Sequence, residues 1–271
     1  MPGHGHINGM KLYLRYVSIS IRSQLQHRAS FVMMLLGSLL TTGIEFAGIA
    51  ALFARFGTLR GWSLPEVGVF YGVINIAFAL SEGFARGFDT FPAMVKSGDF
   101  DRLLLRPRSL CLQVAAGEVQ LMRSGRLLQG GVVLWWSLSN LHLVLTRLGS
   151  ALLAVAVVTA AVVFTALFIA QAALAFWTVE SLEIMNTVTY GGTETAQYPL
   201  TIYRPWFRRF FTFVIPIAFA NYLPINLLLH HSAPLSAFAV LCAAPIAAAL
   251  FASAAMIAWS AGVRHYHSTG S

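Results

Sequence analysis

Long apolar runs are the feature of this sequence that most restricts its fold. In the clearest run, residues 149–178, Gln171 is the main polar interruption, and a helix needs about 20 mostly apolar residues to cross a bilayer. Only 10% of the 271 residues are charged, while 57% are hydrophobic, and soluble domains carry about 25% charged residues. The chain is therefore predicted to be an all-α polytopic membrane protein.

The apolar runs predict six transmembrane helices and three regions. An N-terminal arm (1–30) precedes the six-helix domain (31–262), and a short tail (263–271) follows it. A charged loop, 89–126, separates the second and third helices. The predicted spans are 31–53, 65–88, 127–145, 149–178, 209–229 and 236–262.

The N-terminal arm contains an amphipathic pattern. At 100° per residue, one narrow face of segment 11–28 is polar, and it carries Lys11, Arg15, Ser18, Arg22 and Gln26. This pattern favours a helix that lies in the headgroup region. The alternative is an ordinary cytosolic extension of the first span.

The distribution of Lys and Arg predicts the orientation. With the N-terminus taken as cytoplasmic, 15 of the 18 basic residues fall on that side and 3 on the other. This count includes Arg204, Arg208 and Arg209, which precede the predicted fifth span. Cytoplasmic loops are enriched in Lys and Arg, so both termini are predicted to be cytoplasmic. The basic excess then reflects these loops, and nucleic acid is not an expected partner.

The charges are concentrated in the loop after the second span. Gly98 and Pro107 bracket a short predicted helix with an acidic start and a basic end, a polarity that complements the helix dipole. Three leucines in its middle offer an apolar contact to another protein, or to the chain's own helices. The candidate contact residues are Asp99, Asp101, Arg102, Leu103, Leu104, Leu105, Arg106 and Pro107.

Two carboxylates fall inside predicted spans. Glu45 lies in the first span and Glu82 in the inner half of the second. An ionisable side chain at mid-helix costs about 2.5–3.5 kcal/mol on insertion scales, so each is a candidate for a substrate path, which would suit a cationic substrate. The alternative is a protonated or hydrogen-bonded glutamate that joins helices.

Small residues in the second span predict a close helix contact. Gly83 and Gly87 form a GxxxG pair, which lets a neighbouring helix approach within the chain or across a dimer.

No catalytic or metal-binding motif is apparent. A phosphate-binding Walker loop needs Gly-Lys followed by Ser or Thr, but the only lysines, Lys11 and Lys96, follow Met10 and Val95. The histidines lack zinc-type spacing, and Cys111 and Cys242 are expected to be unpaired thiols. The chain is therefore not expected to be an enzyme, nor to hold a metal or cofactor.

Two stretches resemble a known family. GDFDRLLLRPRS (98–109) is similar to the G-(D/E)-x-D-x-x-L-x-x-P stretch of bacterial type-2 ABC exporter permeases, in the subfamily that includes viologen-exporter-like permeases. YPLTIYRPWFRRFFTFVIPIAFANYLP (198–224) resembles that subfamily's second signature, and FWTVES (176–181) resembles the end of its fourth span.

The resemblance implies an exporter subunit of the bacterial inner membrane that lacks its own motor. Two permease subunits, identical or related, pair with two cytoplasmic ATP-binding subunits, which use ATP and Mg²⁺. The short helix after span two is then a coupling helix docked on the ATPase, and the loop from Tyr198 to Arg209 is a second cytoplasmic contact. The cargo is not specified.

Two other classes compete with this interpretation. An ion-coupled secondary transporter would use Glu45 and Glu82, although no inverted repeat is detectable in the sequence. A membrane-embedded enzyme or assembly factor would need a catalytic constellation, and none is recognisable.

Overall fold

The computed structural model describes residues 18–19, 22–23, 26, 28–106, 108–118, 124–178, 182–230 and 236–266. About 85% of the structure is helical, and the described residues form no β-strand. The all-α prediction is thus confirmed. Most of the predicted amphipathic arm, 11–28, lies outside the described residues.

The chain forms ten α-helices in the part that the structure describes. Three shorter helical turns accompany them. A 3-10 turn, Leu200–Ile202, precedes the eighth α-helix, and two π-helical turns, Phe210–Val214 and Ala218–Tyr222, lie between the eighth and the ninth α-helix. The α-helices are α1 (Arg28–Phe56), α2 (Leu64–Ser97), α3 (Asp99–Leu104), α4 (Leu110–Ala115), α5 (Ser124–Asn140), α6 (Arg147–Leu174), α7 (Leu182–Ala196), α8 (Pro205–Arg209), α9 (Leu223–His230) and α10 (Ala237–His265).

Four helices are long and apolar enough to cross a membrane: α1, α2, α6 and α10. They correspond to the predicted spans one, two, four and six. The predicted third span is shorter than expected, because α5 has 17 residues and ends at Asn140. The predicted fifth span, 209–229, is not a straight helix, since Pro205–Val214 and Ala218–Leu229 meet at 88°. By length and apolar composition, the described residues therefore contain four candidate spans, or five if this bent pair counts as one.

Helix α2 is the centre of the bundle and packs against α5, α6 and α7. Its 34 residues begin after Ser63, which forms a reciprocal capping box with Glu66, and this satisfies backbone donors of the first turn. Close packing depends on glycines that face α5. A Cβ at Gly72 would come within 2.8 Å of the Gly130 carbonyl oxygen.

The backbone of α2 departs from helical geometry once. Ala85 has φ −134° and ψ 16°, inside an otherwise continuous helix. Gly83 and Gly87 flank it, and glycine is the weakest helix former after proline. We call the N-terminal extremity of α2, beside Trp62, the Trp62 end of the bundle, and its C-terminal extremity, beside α3, the α3 end.

The helices differ in how much of their surface the chain covers. In the most apolar 18-residue stretch of each helix, 78% of α2 is buried inside the protein, compared with 11% of α1 and 22% of α10. Large apolar side chains therefore point outward from α1 and α10, among them Met33, Leu40, Ile44, Leu250 and Ile257. Lipid, or a second membrane protein, must cover these faces, because water would not.

Candidate functional site

A short helix, α3, directly follows α2 in the segment where the contact helix was predicted. Gly98 has φ 77°, a left-handed conformation that glycine adopts at little cost, and it turns the chain from one helix into the next. The helix covers Asp99–Leu104, so Leu105 and Arg106 lie beyond its end. Pro107 lies outside the described residues.

A buried aromatic residue anchors α3 to the bundle. Phe100 is fully buried and lies 5.1 Å, ring centre to ring centre, from Phe91 of α2. It belongs to a cluster that joins α2, α3, the end of α6 and α10, and such ring pairs stabilise beyond their buried area. This aromatic cluster consists of Phe88, Phe91, Phe100, Phe176, Trp259 and Tyr266.

A hydrogen bond adds to this anchor. The Tyr266 hydroxyl donates to Oδ1 of Asp101 over 3.0 Å. Burial raises the pKa of Tyr266, and the Asp101 carboxylate raises it further, so the phenol remains a neutral donor at physiological pH. The residue after α10 is thereby tied to α3, a contact that the sequence pattern did not indicate.

Among the described residues, the outer side of α3 is exposed. Leu103 packs against the protein's own core, whereas Leu104 is 44% exposed and Leu105 85% exposed. Arg102 pairs with Asp99 at 3.5 Å on the surface. Leu103 thus packs inside the protein, while Leu104 and Leu105 face outward.

Glu82 is part of a buried ionic cluster at the non-helical residue of α2. Its side chain is 0% exposed, and its Oε1 lies 3.1 Å from the Arg86 guanidinium. The same Arg86 nitrogen lies 2.7 Å from Oδ2 of Asp89 and donates to the Tyr190 hydroxyl of α7 over 3.0 Å. Glu82 therefore pairs within α2, and Arg86 makes the contact with α7.

The cluster extends to α6. Gln171 donates to Oδ1 of Asp89 over 3.2 Å and to Oδ1 of Asn186 over 3.0 Å. Hydrogen bonds of charged and amide side chains therefore join three helices, α2, α6 and α7. We call Glu82, Arg86, Asp89, Gln171, Asn186 and Tyr190 the ionic cluster.

Glu45 lies in a different environment. It is half-buried on α1, and its Oε2 atom is enclosed without a hydrogen-bond partner among the described residues. Glu194 of α7 is its electrostatic neighbour, and Arg126 of α5 acts on both Glu194 and Tyr71. A substrate path through Glu45 and Glu82 stays a prediction.

The loop from Tyr198 to Arg209 lies at the Trp62 end. The indole of Trp62 donates to Oγ1 of Thr201 over 3.1 Å, and Arg60 donates to the Thr201 carbonyl oxygen over 3.3 Å. The predicted spans 149–178 and 209–229 put this loop on the same side as α3. In the structure α7 already returns the chain to the Trp62 end, so the loop and α3 lie at opposite ends.

Comparison with known proteins identifies the family. Residues 39–270 match the model of the family described as ABC-2 family transporter protein. No match was found among curated proteins or among solved structures. The match covers most of the chain, including α3, the ionic cluster and the bent segment. The chain therefore belongs to the ABC-2 transporter family, whose members are membrane subunits of ABC-type transporters and are not themselves catalytic.

Proposed function

We propose that this chain is the membrane subunit of an ATP-driven exporter and that α3 is its contact with a separate ATP-binding subunit. Two such chains, or one chain and a related partner, would form the pathway in a bacterial inner membrane, with both termini in the cytoplasm. ATP and Mg²⁺ are then bound by the partner ATPase, and this chain needs no cofactor. Its cargo is unidentified.

The two-sided arrangement of α3 carries this proposal. Phe100 fixes one side in the aromatic cluster, while Leu104 and Leu105 are exposed on the other beside charged residues. An exposed apolar tip with a charged base is suited to a groove on another protein, where a few buried anchors supply most of the binding energy. The apolar tip is small enough to be tolerated in water before assembly.

The same arrangement supports a mechanism. Movement of an ATPase docked on α3 reaches Phe100, and through the aromatic cluster it reaches α2, α6 and α10 together. Because packed aromatic rings resist compression, the displacement passes on as a rigid-body rotation of these helices. Rotation of that kind underlies alternating access in many transporters.

The ion-coupled alternative requires a carboxylate that exchanges protons or cations. Glu82 is engaged with Arg86, which supports a structural role instead. Glu45 remains the residue on which that alternative depends.

The test compares two aspartate substitutions at equally exposed apolar positions. Leu105 at the α3 end is 85% exposed, and Val144 at the other end is 88% exposed. Each variant is co-expressed with an ATP-binding subunit encoded beside it, purified, and placed in lipid nanodiscs. We expect Leu105→Asp to abolish co-purification or to reduce vanadate-sensitive ATP hydrolysis at least tenfold, because a carboxylate would have to enter an apolar contact.

Val144→Asp should leave both association and hydrolysis unchanged. Equal behaviour of the two variants would remove α3 from the ATPase contact. If the wild-type chain is monodisperse but no ATP-binding subunit associates with it, the ion-coupled alternative takes precedence and Glu45→Gln becomes the next variant.

A further inference from the structure

The bent segment encloses a cavity at the Trp62 end. Its volume is about 430 Å³, within the range of small-molecule sites. It lies between the 3-10 turn at Leu200–Ile202 and the two arms of the bend. Its lining residues are Leu200, Thr201, Arg208, Arg209, Thr212, Phe213, Ala218, Tyr222, Leu223 and Asn226.

The charge in this cavity is positive, and no acidic residue lines it. Arg208 and Arg209 are adjacent in sequence and both line it. Within the described ranges, neither arginine forms an ion pair with a carboxylate. Two guanidinium groups in one concave surface attract an anion, and their fork of N–H donors matches phosphate oxygens.

Hydrogen bonds hold two of the threonines that line the cavity in place. Thr201 is fixed by its contacts with Trp62 and Arg60, at 3.1 and 3.3 Å. Thr212 donates to the Arg208 carbonyl oxygen over 2.7 Å, which secures the turn that carries both arginines. A ligand would meet donors whose backbone is already fixed, so little ordering is needed on binding.

The surroundings of the arginines indicate that the ligand has an apolar part. Leu200, Leu223 and Phe213 line the same cavity. Phe213 is 79% exposed and Trp206, on the preceding turn, is 66% exposed. Exposed tryptophan beside arginine is typical of a membrane–water interface. An anion on an apolar tail would satisfy both the charged wall and the apolar wall.

We propose that this cavity binds a phosphate group, presented by the headgroup of an anionic amphiphile or as a free phosphate. Arg208 and Arg209 supply the charge-assisted hydrogen bonds, and the apolar wall contacts the first carbons of the tail when there is one. The site is separate from α3 and the aromatic cluster. It therefore does not depend on the proposed ATPase contact.

The experiment uses the full chain alone, purified in a non-ionic detergent. Binding of a short-chain phosphatidylglycerol and of inorganic phosphate is measured by titration calorimetry. We expect Arg208→Gln/Arg209→Gln to weaken binding of the lipid at least tenfold, since a hydrogen bond to a charged group contributes about that factor or more. Arg204→Gln is the matched control, because this exposed arginine belongs to the same segment but does not line the cavity. The affinity of this variant for the lipid should stay within about twofold of the wild-type value.

The two ligands distinguish the sources of the phosphate. If phosphatidylglycerol binds more tightly than inorganic phosphate, and phosphate at equal concentration does not displace it, the ligand is an amphiphile. If the two bind equally tightly, the ligand is the free anion. Wild-type affinity in the double variant would overturn the proposal, as would an equal loss with Arg204→Gln. If the double variant is not monodisperse, Arg209→Gln alone decides between the same outcomes.

Discussion

At the scale of single residues, the ionic cluster explains how charges are accommodated among apolar helices. Arg86 contacts two carboxylates and a phenol, so it neutralises charge that burial would otherwise penalise. Such a cluster adds little net stability relative to apolar packing, yet breaking it leaves buried charge without a partner. Removal of the shared arginine is therefore the most damaging change in this part of the chain.

We expect Arg86→Met to lower the free energy of unfolding by about 3 kcal/mol, because Glu82 and Asp89 would both lose their cation. Arg102→Met is the control: its ion pair with Asp99 is 82% and 55% exposed at the two side chains, and it should change stability by less than about 1 kcal/mol. Thermal unfolding in detergent measures both. Similar losses of stability in the two variants would mean that the buried Arg86 contacts stabilise the protein no more than an exposed ion pair does.

The sequence identified Glu82 from its charge inside an apolar run, but it could not identify its partners. Arg86 lies near the end of the same predicted span, 65–88, where basic residues usually mark the cytoplasmic boundary. Tyr190 is 104 positions further along the chain. A contact between residues so far apart depends on how α7 packs, which no local pattern specifies.

At the scale of elements, the join between α2 and the α3–α4 segment depends on one glycine. A Cβ at Gly87 would overlap the carbonyl oxygen of Val114, whereas nothing lies within 4 Å of one at Gly83. The GxxxG pair was predicted from its spacing. Of the two, Gly87 alone makes a close approach to another part of the described chain, and its partner is the short helix α4.

Gly87→Ala is expected to destabilise the protein by about 1–3 kcal/mol, because α4 must move away from α2. Gly83→Ala is the matched change on the same helix. It should be neutral or slightly stabilising, since alanine is the better helix former. Melting temperatures of the two variants in one detergent test this, and a lower value for Gly83→Ala would indicate that Gly83 serves a contact between chains.

The short helix α3 shows both the reach and the limit of local patterns. Gly98 and the acidic start of α3 predicted its position, because capping depends on neighbours in sequence. Phe100 was not predicted as the anchor of α3, since the aromatic rings that contact Phe100 belong to α2, to the end of α6 and to the residue after α10.

At the scale of the whole molecule, four spans could be predicted from hydropathy, but the path between α6 and α10 could not. The run 209–229 is apolar enough for a span, and hydropathy does not register an 88° bend. Helix α7 is only 15 residues long and contains Thr, Asn and Glu, so it was assigned to a loop. The side assigned to Arg204, Arg208 and Arg209 followed from that error.

Cysteine labelling tests the corrected path. In a background with Cys111 and Cys242 replaced by alanine, a cysteine at Arg204 and one at Leu105 should react with a membrane-impermeant maleimide from opposite sides. Both positions are exposed, so access is not limited by burial. Labelling of the two from the same side would restore the loop assignment made from the sequence.

The length of α2 has a mechanical consequence. From Ala85 to Gly98 the helix extends about 20 Å at 1.5 Å per residue, and it carries α3 at its tip. A rotation of about 10° at Ala85 would swing that tip by roughly 3 Å, about half the pitch of a helical turn. If α2 pivots at Ala85, its segment from there to Gly98 acts as a lever whose fulcrum lies among the charges of the ionic cluster, and we expect the strength of those ion pairs to set how stiffly it turns.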